Sequence, residues 1–358
     1  MSDQAIFRVN NFDLLRFMAA TQVAVWHGVE HLGLSLPPTL ALLVRLFPGV
    51  PIFFFVSGFL ISRSYESNPV LKEFFINRLF RIYPGLIFCN LISLGALFGT
   101  HYLGQTGVSP LKVITWFAGQ SSIVQFYNPD FLRNFGVGVM NGSLWTITVE
   151  VQFYLVIPIL YRLLGLTDAS RRRTFALLAV LVGFAIINQV YNYYHADYNH
   201  TLCYKLLGVT FLPWFYMFIL GILCQRNFDI LYCLLKNKGV PLILLYILVA
   251  LVAVKHLGFS MGNHINFLLF LLLTCGIFAI AYTLPSLSRT LLKGNDISYG
   301  IYIFHMPVVN FYIFYKADHW VSSLPLILAT TFALASLSWF KVEKPFLRRK
   351  RHALNPLK

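Results

Sequence analysis

The sequence predicts an all-α polytopic membrane protein of about ten transmembrane helices, with both termini cytoplasmic. Three observations carry that expectation. Hydrophobic residues make up 58% of the 358 and charged residues only 11%, too apolar a balance for a soluble chain of this length. Apolar runs of membrane-spanning length recur from one end of the chain to the other. Lysines and arginines gather in alternate connections: all but Arg45, Lys112, Arg133, Lys205, Lys255 and Lys316 fall on one side of the count, which is the positive-inside pattern. The excess of 28 basic over 13 acidic residues is therefore read as membrane orientation, and no nucleic-acid partner is expected.

Taken in order, the first span covers 13–32. The polar start MSDQAIFRVNN has neither a basic n-region nor a convincing cleavage site, so this span should itself direct insertion. Further spans are expected at 46–63, 82–101, 143–163, 174–191, 206–225, 239–255, 264–284, 297–315 and 321–341. An even number returns the chain to its starting side. The longest outer connection, 102–142, has room for an interfacial helix over 111–126. The next, 191–205, reads YNYYHADYNHTLCYK and suits either an interfacial tyrosine belt or contact with a sugar. Residues 1–358 are expected to form one membrane domain, with a core at 13–341 and a short basic cytoplasmic tail at 342–358. Five cysteines form no CxxC pair and are read as small apolar packing residues.

The first span also carries chemistry. Arg16 and His27 are eleven residues apart, so they share one helical face and are separated by about 16 Å along the axis. Such a stripe must face protein or water, because lipid would leave it unsolvated. His27 and Glu150, counted inward from their span ends, lie at similar depth. A carboxylate beside an imidazole would favour its protonated form, as a general base requires. Ser57 in GVPIFFFVSGFLIS lacks a GxSxG elbow, and small-residue helix packing is the favoured reading over an acyl-serine. Arg78 and Arg81 share a face at the membrane edge and suit either a phosphate or simple anchoring. His305, with Tyr302 one turn before it, is either a packing histidine or a second polar group in a cavity. His27, Glu30 and His31 have the H-x-x-E-H zinc spacing, but nothing else supports a metal and none is expected.

Together, LLRFMAATQVAVWH, GVPIFFFVSGFLI, RLFRIYP, LWTITVEVQFYLVIP, ISYGIYIFHMP and VEKPFL make the chain resemble the acyltransferase-3 family of membrane acyltransferases, which includes bacterial O-antigen O-acetyltransferases. Their order covers residues 13–347. The resemblance implies a ten-helix bundle in the bacterial cytoplasmic (inner) membrane that takes an acyl group, usually acetyl, from cytoplasmic acyl-CoA. It places Arg16 and His27 at the family's R-x10-H positions, Arg78 and Arg81 at RxxR, and Glu150 at the acid of W-[ST]-x-x-x-E, with Thr146 where Ser is common. The SGNH-like domain of some members is not expected here.

The expected activity is transfer of an acyl group from acyl-CoA to a hydroxyl of a surface or lipid-linked glycan such as O-antigen. Arg16, Arg78 and Arg81 would bind the donor, His27 would act as general base oriented by Glu150, and Ser57, Tyr302 and His305 would line the cavity. No permanently bound cofactor is expected. Its rival is a proton-coupled secondary transporter of a sugar or anion, against which stands the absence of an inverted repeat.

Overall fold

The computed structural model describes residues 7, 9–167, 170–315 and 320–348, the side chains of 320–322 excepted. Among the described residues the regular structure is helical throughout, with no strand. The longer helices are α1 (Phe12–His31), α2 (Pro38–Leu46), α3 (Gly49–Ser67), α4 (Leu71–Gly99), α5 (Trp145–Leu164), α6 (Arg171–Tyr193), α7 (Phe215–Arg226), α8 (Phe228–Leu235), α9 (Gly239–Leu257), α10 (Phe267–Ala281), α11 (Ser298–Phe314) and α12 (Trp320–Ser338).

A helix lies at each of the ten expected spans, but among the described residues six stretches are long and apolar enough to cross a membrane. The pair α7 and α8, bent by 86°, makes a seventh if it is one span. The protein is thus an all-helical integral membrane protein. α1 is long enough, but Asp13, Arg16, Gln22, His27 and Glu30 dilute its apolar character. α10 and α11, of 15 and 17 residues, fall short of the about 20 residues that a perpendicular crossing needs.

Three boundaries depart from expectation. α4 starts at Leu71 because LKEFFINRLFR is charged yet rich in helix formers, and a helix needs no apolar run to begin. Within the 102–142 connection the helix expected over 111–126 spans Pro110–Gln120 and stops in a turn at Ser121 and Ser122. Residues 342–348, the first part of the expected basic tail, are helical: α12 runs on through a π-helical turn, Trp339–Glu343, that buries Glu343. The rest of the tail, 349–358, and the charges Arg8 and Lys316 lie outside the described residues.

The chain forms two compact units. The first comprises the described residues up to Gln22, Pro37–Pro69 and Gln152–Asp296. Gly58 and Gly221 let α3 and α7 meet backbone to backbone: a Cβ on Gly58 would overlap the Phe218 carbonyl, and one on Gly221 the Phe55 carbonyl. Phe54, Phe153 and Phe218 fill the adjoining core, with ring centroids 5.0 and 4.6 Å apart. Gln22 receives the Gly49 N–H at 2.9 Å and donates to the Val44 carbonyl, thereby serving the break between α2 and α3. At the start of α1, Asn11 donates to the Thr283 and Leu284 carbonyls and accepts from Ser288 N–H.

The second unit comprises Val23–Leu36, Val70–Val151 and the described residues from Ile297. Its organising element is α11, whose residues Ser298 to Asn310 are all buried. Pro307 has no N–H, so the Ile303 carbonyl loses its helical partner. Asn141 Nδ2 fills that vacancy at 2.7 Å, joined by Cys89 Sγ at 3.2 Å. Asn310, also fully buried, accepts from Val137 N–H at 2.7 Å and donates to the Val139 and Met140 carbonyls at 3.0 Å. Gly136, at φ +57°, lies so close to Asn310 that no side chain fits. The stretch 136–144 is therefore stitched to α11, and it delivers the start of α5.

Candidate active site

That start carries the acid. Asn141 accepts from Ser143 Oγ at 2.7 Å, and Thr146 Oγ1 donates to the Ser143 carbonyl at 3.1 Å. Thr146 Oγ1 also lies 2.7 Å from the Tyr302 hydroxyl. Glu150, one turn further along α5 and half-buried, is within electrostatic reach of Tyr299 and Tyr302. Thr146, at the position where the resemblance expects Ser, thus keeps a hydroxyl against Tyr302.

His27 meets a different partner from the one its depth suggested. Its Nδ1 lies 2.8 Å from His305 Nε2, and the two rings stack with centroids 5.1 Å apart. The imidazole of His305, not the carboxylate of Glu150, is what hydrogen-bonds His27. Counting residues from span ends gives depth alone, whereas the facing side chain is set by how α11 is rotated. His305 is fully buried and His27 half-buried, so His27 is the one that can be reached. The Tyr302 ring stands edge-on to His305 at 5.8 Å, and His31 lies 5.8 Å from His27. On the same helix Gly28 lies close to α12, where a Cβ would meet the Leu324 side chain at 2.6 Å.

The arginines are engaged. In the first unit Arg16 Nη1 lies 3.0 Å from Asp296 and 3.8 Å from Asp13. In the second unit Arg81 Nη1 lies 3.6 Å from the buried carboxylate of Glu343 and sits over the rings of Tyr299 and Trp339. Glu343 also accepts from Ser338 Oγ at 2.8 Å. Arg78 lies over Phe74 with its guanidinium 5.9 Å from the ring centre. Ser57 is half-buried on α3 beside the close contact at Gly58. No group of three or more His, Cys, Asp or Glu able to hold a metal occurs among the described residues.

Asp296, just before ISYGIYIFHMP, and Glu343, within VEKPFL, carry no expected role from the sequence. Their signal was present: both are acids in otherwise apolar or basic surroundings, where a partner cation is required.

A helical membrane protein that buries a hydrogen-bonded imidazole pair, one of them reachable, has the parts for moving a proton to or from a bound hydroxyl. The chain belongs to the acyltransferase-3 family: that family's model, described as an acyltransferase domain, matches residues 9–340. Nodulation protein 10 of Rhizobium leguminosarum bv. viciae is 32% identical, covering 95% of this chain and 93% of that protein. The O-acetyl transferase of Shigella phage Sf6 is 27% identical over 97% of this chain and 98% of its own. The O-acetyltransferase OatA of Staphylococcus aureus is 30% identical, but over only 32% of this chain and 20% of that protein. No solved structure matches.

Proposed function

We propose that this acyltransferase moves an acetyl group from acetyl-CoA on the cytoplasmic side to a hydroxyl of a surface or lipid-linked glycan, such as O-antigen, at a bacterial inner membrane. The observation that carries the reading is the His27 to His305 contact of 2.8 Å. Two relatives named as O-acetyltransferases support the choice of acyl group and of oxygen as acceptor. In this proposal residues 1–358 act as one membrane domain of ten spans with both ends cytoplasmic, and no cofactor is held between turnovers.

His27 Nε2 has a free lone pair when His27 Nδ1–H donates to His305 Nε2. In that tautomer Nε2 takes the acceptor's hydroxyl proton while the oxygen attacks the thioester carbonyl. The tetrahedral intermediate then breaks its C–S bond, and the imidazolium returns the proton to the departing thiolate, releasing CoA–SH. Glu150, through Tyr302 and Thr146, would bias the field around the pair. Arg16, Arg78 and Arg81 would meet the donor's diphosphate. A guanidinium has five N–H donors and can serve a carboxylate and a phosphate together.

The test is acyl transfer by purified protein with acetyl-CoA and a panel of glycans. CoA release should depend on acceptor, and His27→Ala should lower turnover by about 10²–10⁴-fold. Normal transfer by a well-folded His27→Ala would remove the general-base assignment. Proton-coupled sugar uptake without CoA release would favour the transporter.

A further inference from the structure

The first unit holds a second polar constellation that the mechanism leaves unused. A cavity of about 400 Å³ is lined by Arg63, Glu66, Tyr161, Gln225, Arg226 and Asp229, with Phe7 and Phe228 as aromatic walls. It gathers Phe7, which precedes α1, with the C-terminal ends of α3, α5 and α7. These are connections that the charge count assigns to the cytoplasm. At this cavity the chain also breaks, by 86° between α7 and α8, and irregular backbone at a membrane edge is sustained where it lines a polar cavity.

The walls are organised in advance. Glu66 accepts from Tyr161 Oη at 3.0 Å, Gln225 Nε2 at 2.9 Å and Arg226 Nη1 at 3.1 Å. A carboxylate accepts only, so the Gln225 amide nitrogen must face it and the orientation of the amide is fixed. Gln225 Oε1 is left buried without a donor. Arg63 rests over the Phe7 ring at 5.1 Å, and among the described residues no carboxylate pairs with it. Phe7 and Phe228 stand at 62° with ring centroids 5.1 Å apart. The two arginines balance Glu66 and Asp229, so the lining as a whole is near neutral. That combination suits a flat heteroaromatic ring bearing an amino group, attached to a single phosphate. It does not suit a bare polyphosphate.

We propose that this cavity seats the adenine nucleotide end of the acyl-CoA donor. The ring lies against the edge of Phe228 and the Arg63 guanidinium, which itself rests on Phe7; the amino group of the ring meets Asp229 or Gln225 Oε1, and Arg63 takes the ribose 3′-phosphate. The inference rests on the donor being acyl-CoA, and the experiment separates the two.

Full-length purified protein is assayed with acetyl-CoA and with acetyl-pantetheine, which lacks the nucleotide. Adenosine 3′,5′-bisphosphate is the binding probe. Arg63→Ala and Asp229→Ala should each raise the KM for acetyl-CoA about tenfold at unchanged kcat, a loss of about 1.4 kcal/mol of binding. Neither should change kcat/KM for acetyl-pantetheine. The bisphosphate should compete with acetyl-CoA on the unaltered protein and bind Arg63→Ala about tenfold more weakly. Equal losses with both donors, or none with either, would overturn the site. Should the unaltered protein transfer from neither donor, the acyl-CoA reading fails, and direct binding of the bisphosphate still decides this one: Arg63-dependent binding supports it and no binding ends it. Thermal unfolding of each variant separates misfolding from lost recognition.

Discussion

A neutral imidazole hydrogen-bonded through Nδ1 keeps its Nε2 lone pair only when it is the donor in that bond, so the neighbour must present an acceptor. For His27 that neighbour is His305. Replacing His305 by Gln places an amide oxygen near the same position, whereas Leu removes the acceptor and leaves the His27 tautomer unconstrained. His305→Leu is expected to lower kcat about 10²-fold with the KM for acetyl-CoA unchanged, and His305→Gln to recover a large part. Steady-state kinetics on both variants check this; a parallel rise in KM, or equal loss in both, would make His305 a packing residue instead. The sequence made His27 conspicuous because a histidine deep in an apolar run is costly. It left His305 evenly divided between two readings, since periodicity along α11 says nothing about which helix faces it. Glu150 shows the same limit: counting from a span end assigns it a depth but not its neighbours Tyr299 and Tyr302.

At the scale of elements, two devices bring helices close. One is the glycine contact of α3 and α7, where the atoms that a new Cβ would strike are backbone carbonyls and cannot rotate away. Gly58→Ala should therefore separate the helices, at a cost of about 1–3 kcal/mol from overpacking. A lowered melting temperature and a broadened size-exclusion peak in detergent would register it, and unaltered stability would show that the contact is dispensable. The close approach was readable from Gly58 in its phenylalanine-rich run. The other device was half readable: Pro307 inside a helical pattern announces a freed carbonyl at Ile303. That Asn141, far off in sequence, fills it depends on the path of the 102–142 connection, which has no periodicity to betray its route. The same holds for the Arg81 and Glu343 pair, where the π-helical turn that aims the carboxylate has no simple sequence signal.

For the whole molecule, the disagreement between ten expected crossings and the six or seven stretches among the described residues that are both long and apolar enough concentrates on a few segments, and Phe215–Leu235 is the sharpest. α7 has 12 residues, a rise of about 18 Å against a hydrocarbon core of about 30 Å, and it turns sharply into α8. If this segment folds back, everything after it changes side and the positive-inside distribution of the C-terminal half inverts. The bundle tolerates a short crossing where protein rather than lipid surrounds the ends, and α7 is buried along almost its whole length. Two native cysteines bracket the question: Cys203 before α7 and Cys233 on α8, both exposed. In single-cysteine variants, a membrane-impermeant maleimide should label Cys203 from outside spheroplasts and reach Cys233 only in inside-out vesicles. Labelling of both from one side would make Phe215–Leu235 re-entrant and would invert the side of every connection that follows it.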